Sequence, residues 1–275
     1  MTRRAARRAA LGGAGWVLAL GLLSPYLVML FTALKPAAEL RTTPPRLLPV
    51  DWRFANFVDV LRDDAFQSWL SVSLVVAAAS TLLVILAAVP AAYYTARHRF
   101  PGRGAFLFLV LVTQMFAPTA LVVGLYREFF ELDLINTYTA LILTNAAFNL
   151  AFAIWMLRAF FASIPREIEE AAAVDGCGRL RTLAGIVLPL SLPGIVTAAI
   201  FAFIAAWNEY IVALTLMTDP AMKPLTVGIT TYVTAYVQHW NSLFAASVLA
   251  IVPVVVLFAL IERYLVGGLT AGSLK

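Results

Sequence analysis

Few residues in this chain are of types that could do chemistry. Glu209 is the one ionisable group set deep in a long apolar run. Beside it stand Trp207, Asn208 and Tyr210, and another apolar run carries Asn145 and Asn149. Aromatic faces with a few directed polar groups suit hydroxyl-rich ligands. The same residues also serve as interfacial anchors and as hydrogen bonds between helices, so both readings stay open. A second group is Glu167, Glu169 and Glu170, followed by Ala171, Ala172, Asp175 and Gly176. It combines acid with small residues, a surface for another chain rather than for a reaction. His98, His239 and Cys177 are too few for a zinc cage. No metal site and no catalytic residues are assigned. The phosphate loop G-x-x-x-x-G-K-[ST] needs a Gly-Lys pair, and the lysines follow Leu34, Met222 and Leu274. H-E-x-x-H and G-x-S-x-G are also absent. The chain is therefore not read as an enzyme, and it has no nucleotide site to energise anything alone.

The elements that must position these residues follow from composition. Of 275 residues, 62% are hydrophobic and 13% charged. Soluble domains run at about 45–50% and about 25%. So apolar a chain cannot cover a soluble surface, and its single cysteine makes no internal bridge. A spanning helix needs about 20 mostly apolar residues. The runs between charges supply six: residues 12–34, 69–94, 104–125, 137–157, 193–217 and 243–261. The expected fold class is an all-α membrane protein, one domain over 1–275. The first run is too long for a signal h-region and lacks an A-x-A site, so it reads as a retained helix. Gln114 and Pro118 mark a kink in the third run.

With the N-terminus inside, thirteen of the 20 Lys and Arg residues fall on inner segments. That is the orientation the positive-inside rule favours, with both termini cytoplasmic. The excess positive charge then faces anionic lipid, and no nucleic-acid partner is implied.

The inner link 158–192 is long and has helical pattern throughout. A helix is expected over Arg166–Asp175, with glutamates in its first turns and Gly176 and Gly178 as its stop. A short second helix places Leu180, Leu183, Ala184 and Val187 on one face, and Pro189 ends it. By pattern alone the first helix either docks on another chain or lies on the membrane.

The spacing settles on a resemblance. Glu170-Ala171-Ala172, three residues, Gly176, nine residues, Ile186, one residue, Leu188-Pro189 matches the EAA signature of binding-protein-dependent ABC importer permeases at every fixed position. Phe31-Thr32-Ala33-Leu34-Lys35-Pro36, Asn56 and Trp207-Asn208-Glu209-Tyr210 resemble the maltose/trehalose-type sugar branch. The Gly267-Gly268-Leu269-Thr270-Ala271-Gly272 terminus is similar to that branch as well. Val72-Ser73 departs from it, where Asn-Ser is frequent.

The resemblance implies the type I importer permease fold and a multi-pass place in a bacterial cytoplasmic membrane. It implies a second, non-identical permease, two ATPase subunits that hold ATP and Mg²⁺, an extracytoplasmic sugar-binding protein and surrounding lipid. This chain itself would bind no cofactor. Glu169, Glu170, Ala171, Ala172, Asp175, Gly176, Ile186, Leu188 and Pro189 would couple it to the ATPases. Gly268, Leu269, Thr270 and Gly272 would add a C-terminal ATPase contact. Asn145, Asn149, Trp207, Asn208, Glu209 and Tyr210 would lie on the substrate path. The cargo would be a disaccharide such as trehalose or maltose, with glycerol phosphate or a polyol as the alternative. An ion-coupled secondary transporter or a membrane assembly scaffold stands further off, because Glu209 is alone as an intramembrane ionisable group.

Overall fold

The computed structural model describes residues 3–234, 236 and 238–270. They are almost wholly helical, and the only β pairing among them is an isolated bridge between Val233 and Gln238. The helices are α1 (Arg3–Ala33), α2 (Ala55–Arg62), α3 (Asp64–Arg97), α4 (Arg103–Thr113), α5 (Pro118–Glu131), α6 (Tyr138–Ser163), α7 (Arg166–Val174), α8 (Arg179–Thr182), α9 (Leu188–Leu190), α10 (Leu192–Trp207), α11 (Ile211–Leu216), α12 (Leu225–Gly228) and α13 (Trp240–Thr270). Four stretches are long and apolar enough to cross a membrane: Leu11–Ala33, Asp64–Arg97, Tyr138–Ser163 and Trp240–Ala259. Two further pairs pass only as bent spans: Arg103–Thr113 with Pro118–Glu131 at 93°, and Arg179–Leu190 with Leu192–Trp207 at 74°.

These bends change the sequence reading of spans three and five. The third apolar run is two helices, broken between Thr113 and Pro118, where Pro118 opens α5 and cannot donate an N–H. Gln114 Nε2 donates to Phe148 O of α6 (2.9 Å) at this break. The fifth run ends as a helix at Trp207, and a separate short α11 begins at Ile211. Helix also continues through Pro189 to Leu190, although a stop was expected there. A wide π-type turn over Leu183–Val187 precedes the proline. Such a turn relieves the clash of a proline ring with the preceding carbonyls. At the far end, α13 runs on through Thr270, so Gly268, Leu269 and Thr270 are helical in backbone rather than a tail. Gly272 lies outside the described residues.

The chain packs as two compact units, one of residues up to Phe66 with Ile229–Val252, the other of Gln67–Gly228 with the residues from Pro253 on. In the first unit, Asn56 holds the end of α1. Its Nδ2 donates to Ala33 O (2.7 Å) and Lys35 O (2.9 Å), carbonyls that a helix end leaves without partners. Asn241 Nδ2 donates to Asn56 Oδ1 (3.3 Å), and the buried Lys35 gives its ammonium to Arg46 O. The Phe31–Pro36 motif and Asn56 are thus one structural unit. Tyr232 OH donates to Asp63 Oδ2 (2.6 Å). Burial first, then this hydrogen bond and the neighbouring carboxylate charge, push the phenol well above its usual range.

The second unit has two apolar clusters. One is rich in alanine: Ala88, Ala92, Ala146, Ala151, Ala153, Ala198 and Ala202 pack with Leu157, Phe161 and Val187. Small residues let membrane helices approach closely. The other joins Val72, Val76, Leu141, Val212, Leu216 and Val227. Val72, where the resembled branch shows Asn, is therefore a packing residue.

α6 and α10 approach closely at Gly194. A Cβ there would stand 2.4 Å from Phe160 Cγ. Gly194→Ala is expected to cost about 1–3 kcal/mol through overpacking. Gly104→Ala on α4, where a Cβ meets nothing within 4 Å, should be neutral or slightly stabilising. Unfolding midpoints of the detergent-purified variants check this contrast; equal midpoints would contradict it.

Candidate functional site

The loop after α6 builds its helix from a short set of local signals. Pro165 sits at the N-cap with extended ψ (138°), and Glu167 and Glu169 lie in the first turn, favourable to the helix dipole. The helix closes on a left-handed Gly176 (φ 79°). Gly176 N–H donates to Ala173 O (3.1 Å) and Cys177 N–H to Ala172 O (2.9 Å). This is the Schellman closure, which accounts for a glycine at that position of the motif.

The closure fixes which side chains look outward. Glu170, Ala171 and Asp175 are exposed, and Val174 is 88% exposed. Leu180, just past the glycine turn, is 82% exposed. It does not share the buried face of Leu183 and Val187. Ala172 is buried on the chain itself, so Ala171 and Ala172 have different surroundings. Val187 is wholly buried, Leu188 packs beside it, Ile186 is half-buried and Pro189 exposed. The motif residues therefore divide between an outer surface and the packing that supports it.

Glu169 turns inward. Its Oε1 stands 2.6 Å from Arg97 Nε at the end of α3, with the side chains 7% (Arg97) and 19% (Glu169) exposed. Its Oε2 accepts from Tyr93 OH (2.8 Å). Arg97 Nη1 donates to Ile164 O (3.0 Å), and Arg166 Nη2 donates to Arg97 O (3.3 Å). Breaking so buried a pair by removing one partner costs about 3–5 kcal/mol. Tyr93, Arg97, Arg166 and Glu169 line an open cleft of about 280 Å³, which His98, Glu170 and Arg179 also border. Tyr93 and Arg97 were not singled out from sequence. The available signal was their i, i+4 spacing at the last turn of a span.

The residues expected on a substrate path are differently placed. Asn145 is buried and its Nδ2 donates to Leu141 O (2.9 Å); Asn149 Nδ2 donates to Asn145 O (2.8 Å). Trp207 is buried and stacked on Phe203, Tyr210 is half-buried, and Asn208 is exposed at the end of α10. Glu209 bridges the break between α10 and α11. Its Oε1 accepts from Val212 N (2.8 Å) and its Oε2 from Ala213 N (2.9 Å), the amides a helix start leaves open. The space bordered by Glu209, Asn145 and Ser73 holds about 10 Å³, too small for a sugar.

Comparison with known proteins accords with this architecture. Residues 84–270 match the model of the family described as binding-protein-dependent transport system inner membrane component. The chain belongs to that family, whose members are transport components and not enzymes. It is 40% identical over 253 residues to the sulfoquinovosyl glycerol transport system permease protein SmoH of Agrobacterium fabrum, covering 92% of this chain and 89% of that one. It is 37% identical over 223 residues to the trehalose/maltose transport system permease protein MalG of Thermococcus litoralis, covering 80% of each. Its fold is that of a chain in the crystal structure of a bacterial ABC transporter involved in the import of the acidic polysaccharide alginate. The TM-score is 0.82 at 24% identity, over 96% of this chain and 99% of the other.

The Glu209 geometry makes a stability prediction. Glu209→Ala leaves two amides open in an apolar setting and should cost about 1–3 kcal/mol. Glu209→Gln keeps one acceptor oxygen and should cost about half. Thermal or SDS unfolding of the purified variants reads this. Unchanged stability in Glu209→Ala would contradict the capping role.

Proposed function

We propose that this chain is one of two non-identical permease subunits of an ATP-driven sugar importer in a bacterial cytoplasmic membrane, with both termini inside. The observation that carries the reading is the outer surface of α7. A Schellman-closed helix offers Glu170, Ala171 and Val174 outward, with Leu180 just beyond the turn.

In this reading α7 is seated in a groove of a cytoplasmic ATPase subunit. Glu170 pairs with a basic residue there, and Ala171 permits close backbone approach. Val174 and Leu180 supply the apolar contact. Gly268, Leu269, Thr270 and Gly272 add a second contact to the ATPases. ATP and Mg²⁺ are held by the two ATPase subunits, since this chain lacks a phosphate loop. Closure of the ATPases displaces α7 and rocks the spans around the path. An extracytoplasmic binding protein delivers the sugar from the other side. Asn208, exposed where α10 ends, faces the path, with Asn145, Asn149, Trp207 and Tyr210 shaping the helices behind it. Glu209 acts there by holding the helix break open.

The relatives' names support a sugar or glycoside as cargo, and their cargoes differ among themselves. A disaccharide such as trehalose or maltose fits this branch.

Glu170→Lys tests the docking. The variant should reach the membrane at the wild-type level, because Glu170 is exposed and makes no packing contact in the core. Its ATPases should bind at least about tenfold more weakly, roughly 1.4 kcal/mol per decade. Co-purification of tagged permease with the ATPase subunits measures this. Wild-type retention of the ATPases would contradict the assignment.

A further inference from the structure

Two consecutive glutamates on α7 border one cleft but differ in surroundings: Glu170 is exposed, and Glu169 is paired and largely buried. Three separate connections tie the last turn of α3 to α7 and to its junction with α6. Arg97 pairs with Glu169 and donates to the junction carbonyl Ile164 O. Arg166, the first residue of α7, donates back to Arg97 O, one of the carbonyls left open at the end of α3. Tyr93, one turn earlier, donates to Glu169 and sets its ring edge-on to Phe161 of α6 at 5.7 Å. Each helix end is thus held by a side chain from the other.

The opposite end of α7 is unlike this. It leaves through Gly176 and Gly178, where an added Cβ would meet nothing within 4 Å. Side-chain packing does not brace that turn. The helix is joined by side chains at its start and leaves through a backbone-bonded glycine turn at its end.

We propose that the Arg97–Glu169 pair, with Tyr93, is the positioning link that carries displacement of α7 into α3, so that the two move as one rigid piece. Glu170 meets the partner and Glu169 transmits. This rests on the reading of α7 as the ATPase-docking helix. A buried pair suits the task because it is short and costly to separate. Coupling of this kind needs a demonstrated common motion rather than mere adjacency.

The test uses the whole transporter, reconstituted in nanodiscs with its partner permease and ATPases. Spin labels are placed at Glu167→Cys on α7 and Leu86→Cys on α3, both exposed, in a Cys177→Ser background with cysteine-free partners. The 86–167 distance distribution is measured without nucleotide and after trapping with ATP and vanadate. With the pair intact, its centre and width should be the same in both states. Arg97→Gln or Glu169→Gln should widen the trapped distribution about twofold, the scale expected when packed helices slip by about 1–2 Å. Exchanging the charges, Arg97→Glu with Glu169→Arg, should restore the narrow distribution, which a role in packing alone would not predict. If a single variant fails to accumulate, Tyr93→Phe, which removes one hydrogen bond, should still widen the trapped state. A wild-type distance that changes on trapping would overturn the proposal. So would Arg97→Gln or Tyr93→Phe behaving as wild type, or a charge exchange that rescues nothing. Because the distance without nucleotide does not depend on docking, loss of ATPases from Glu170→Lys judges the docking reading separately.

Discussion

In an apolar surrounding no water meets the amides and carbonyls that a helix end leaves open, so each interruption of a helix needs a polar partner from the chain itself. That constraint accounts for several polar side chains set at helix ends. Asn56 takes the carbonyls at the end of α1, and Glu209 takes the amides at the start of α11. Gln114 donates to α6 where α4 stops. Ser73 Oγ accepts from Leu225 N (2.7 Å). An intramembrane glutamate reads by default as a functional group. Here its two oxygens are engaged by backbone, and it works by fixing where a span breaks.

The same logic shapes the loop after α6. The free carbonyl of Arg97 and the junction carbonyl of Ile164 are met by arginines from opposite sides. Glu169 compensates the buried guanidinium. Among the residues left outward are Glu170, Ala171, Val174, Asp175 and Leu180. Two large apolar side chains so exposed beside a glycine turn form a surface that a partner can bury.

Much of the fold was legible because the bilayer imposes a length on apolar runs, and charges bracket them. The start and stop of α7 were legible for local reasons, in Pro165, the early glutamates and Gly176. The break in the third span also had local marks, Gln114 and Pro118. The break in the fifth was hidden because apolar residues continue past it, and the role of Glu209 as the cap of α11 shows only in the structure. The extent of α13 escaped because the span was bounded at Ile261, before the charged Glu262, and the helix continues to Thr270. Most of all, the different surroundings of Glu169 and Glu170 could not be read locally. Their difference depends on Arg97 and on Tyr93, 76 positions away in sequence.

The central claim is that the outer surface of α7 is gripped by a separate ATP-hydrolysing subunit. The most direct measurement places a photo-reactive amino acid at Val174 in the assembled, membrane-embedded transporter and identifies the adduct by mass spectrometry. The account predicts a cross-link to an ATPase subunit, lost in the Glu170→Lys background. Adducts to lipid alone, with no ATPase peptide, would contradict it.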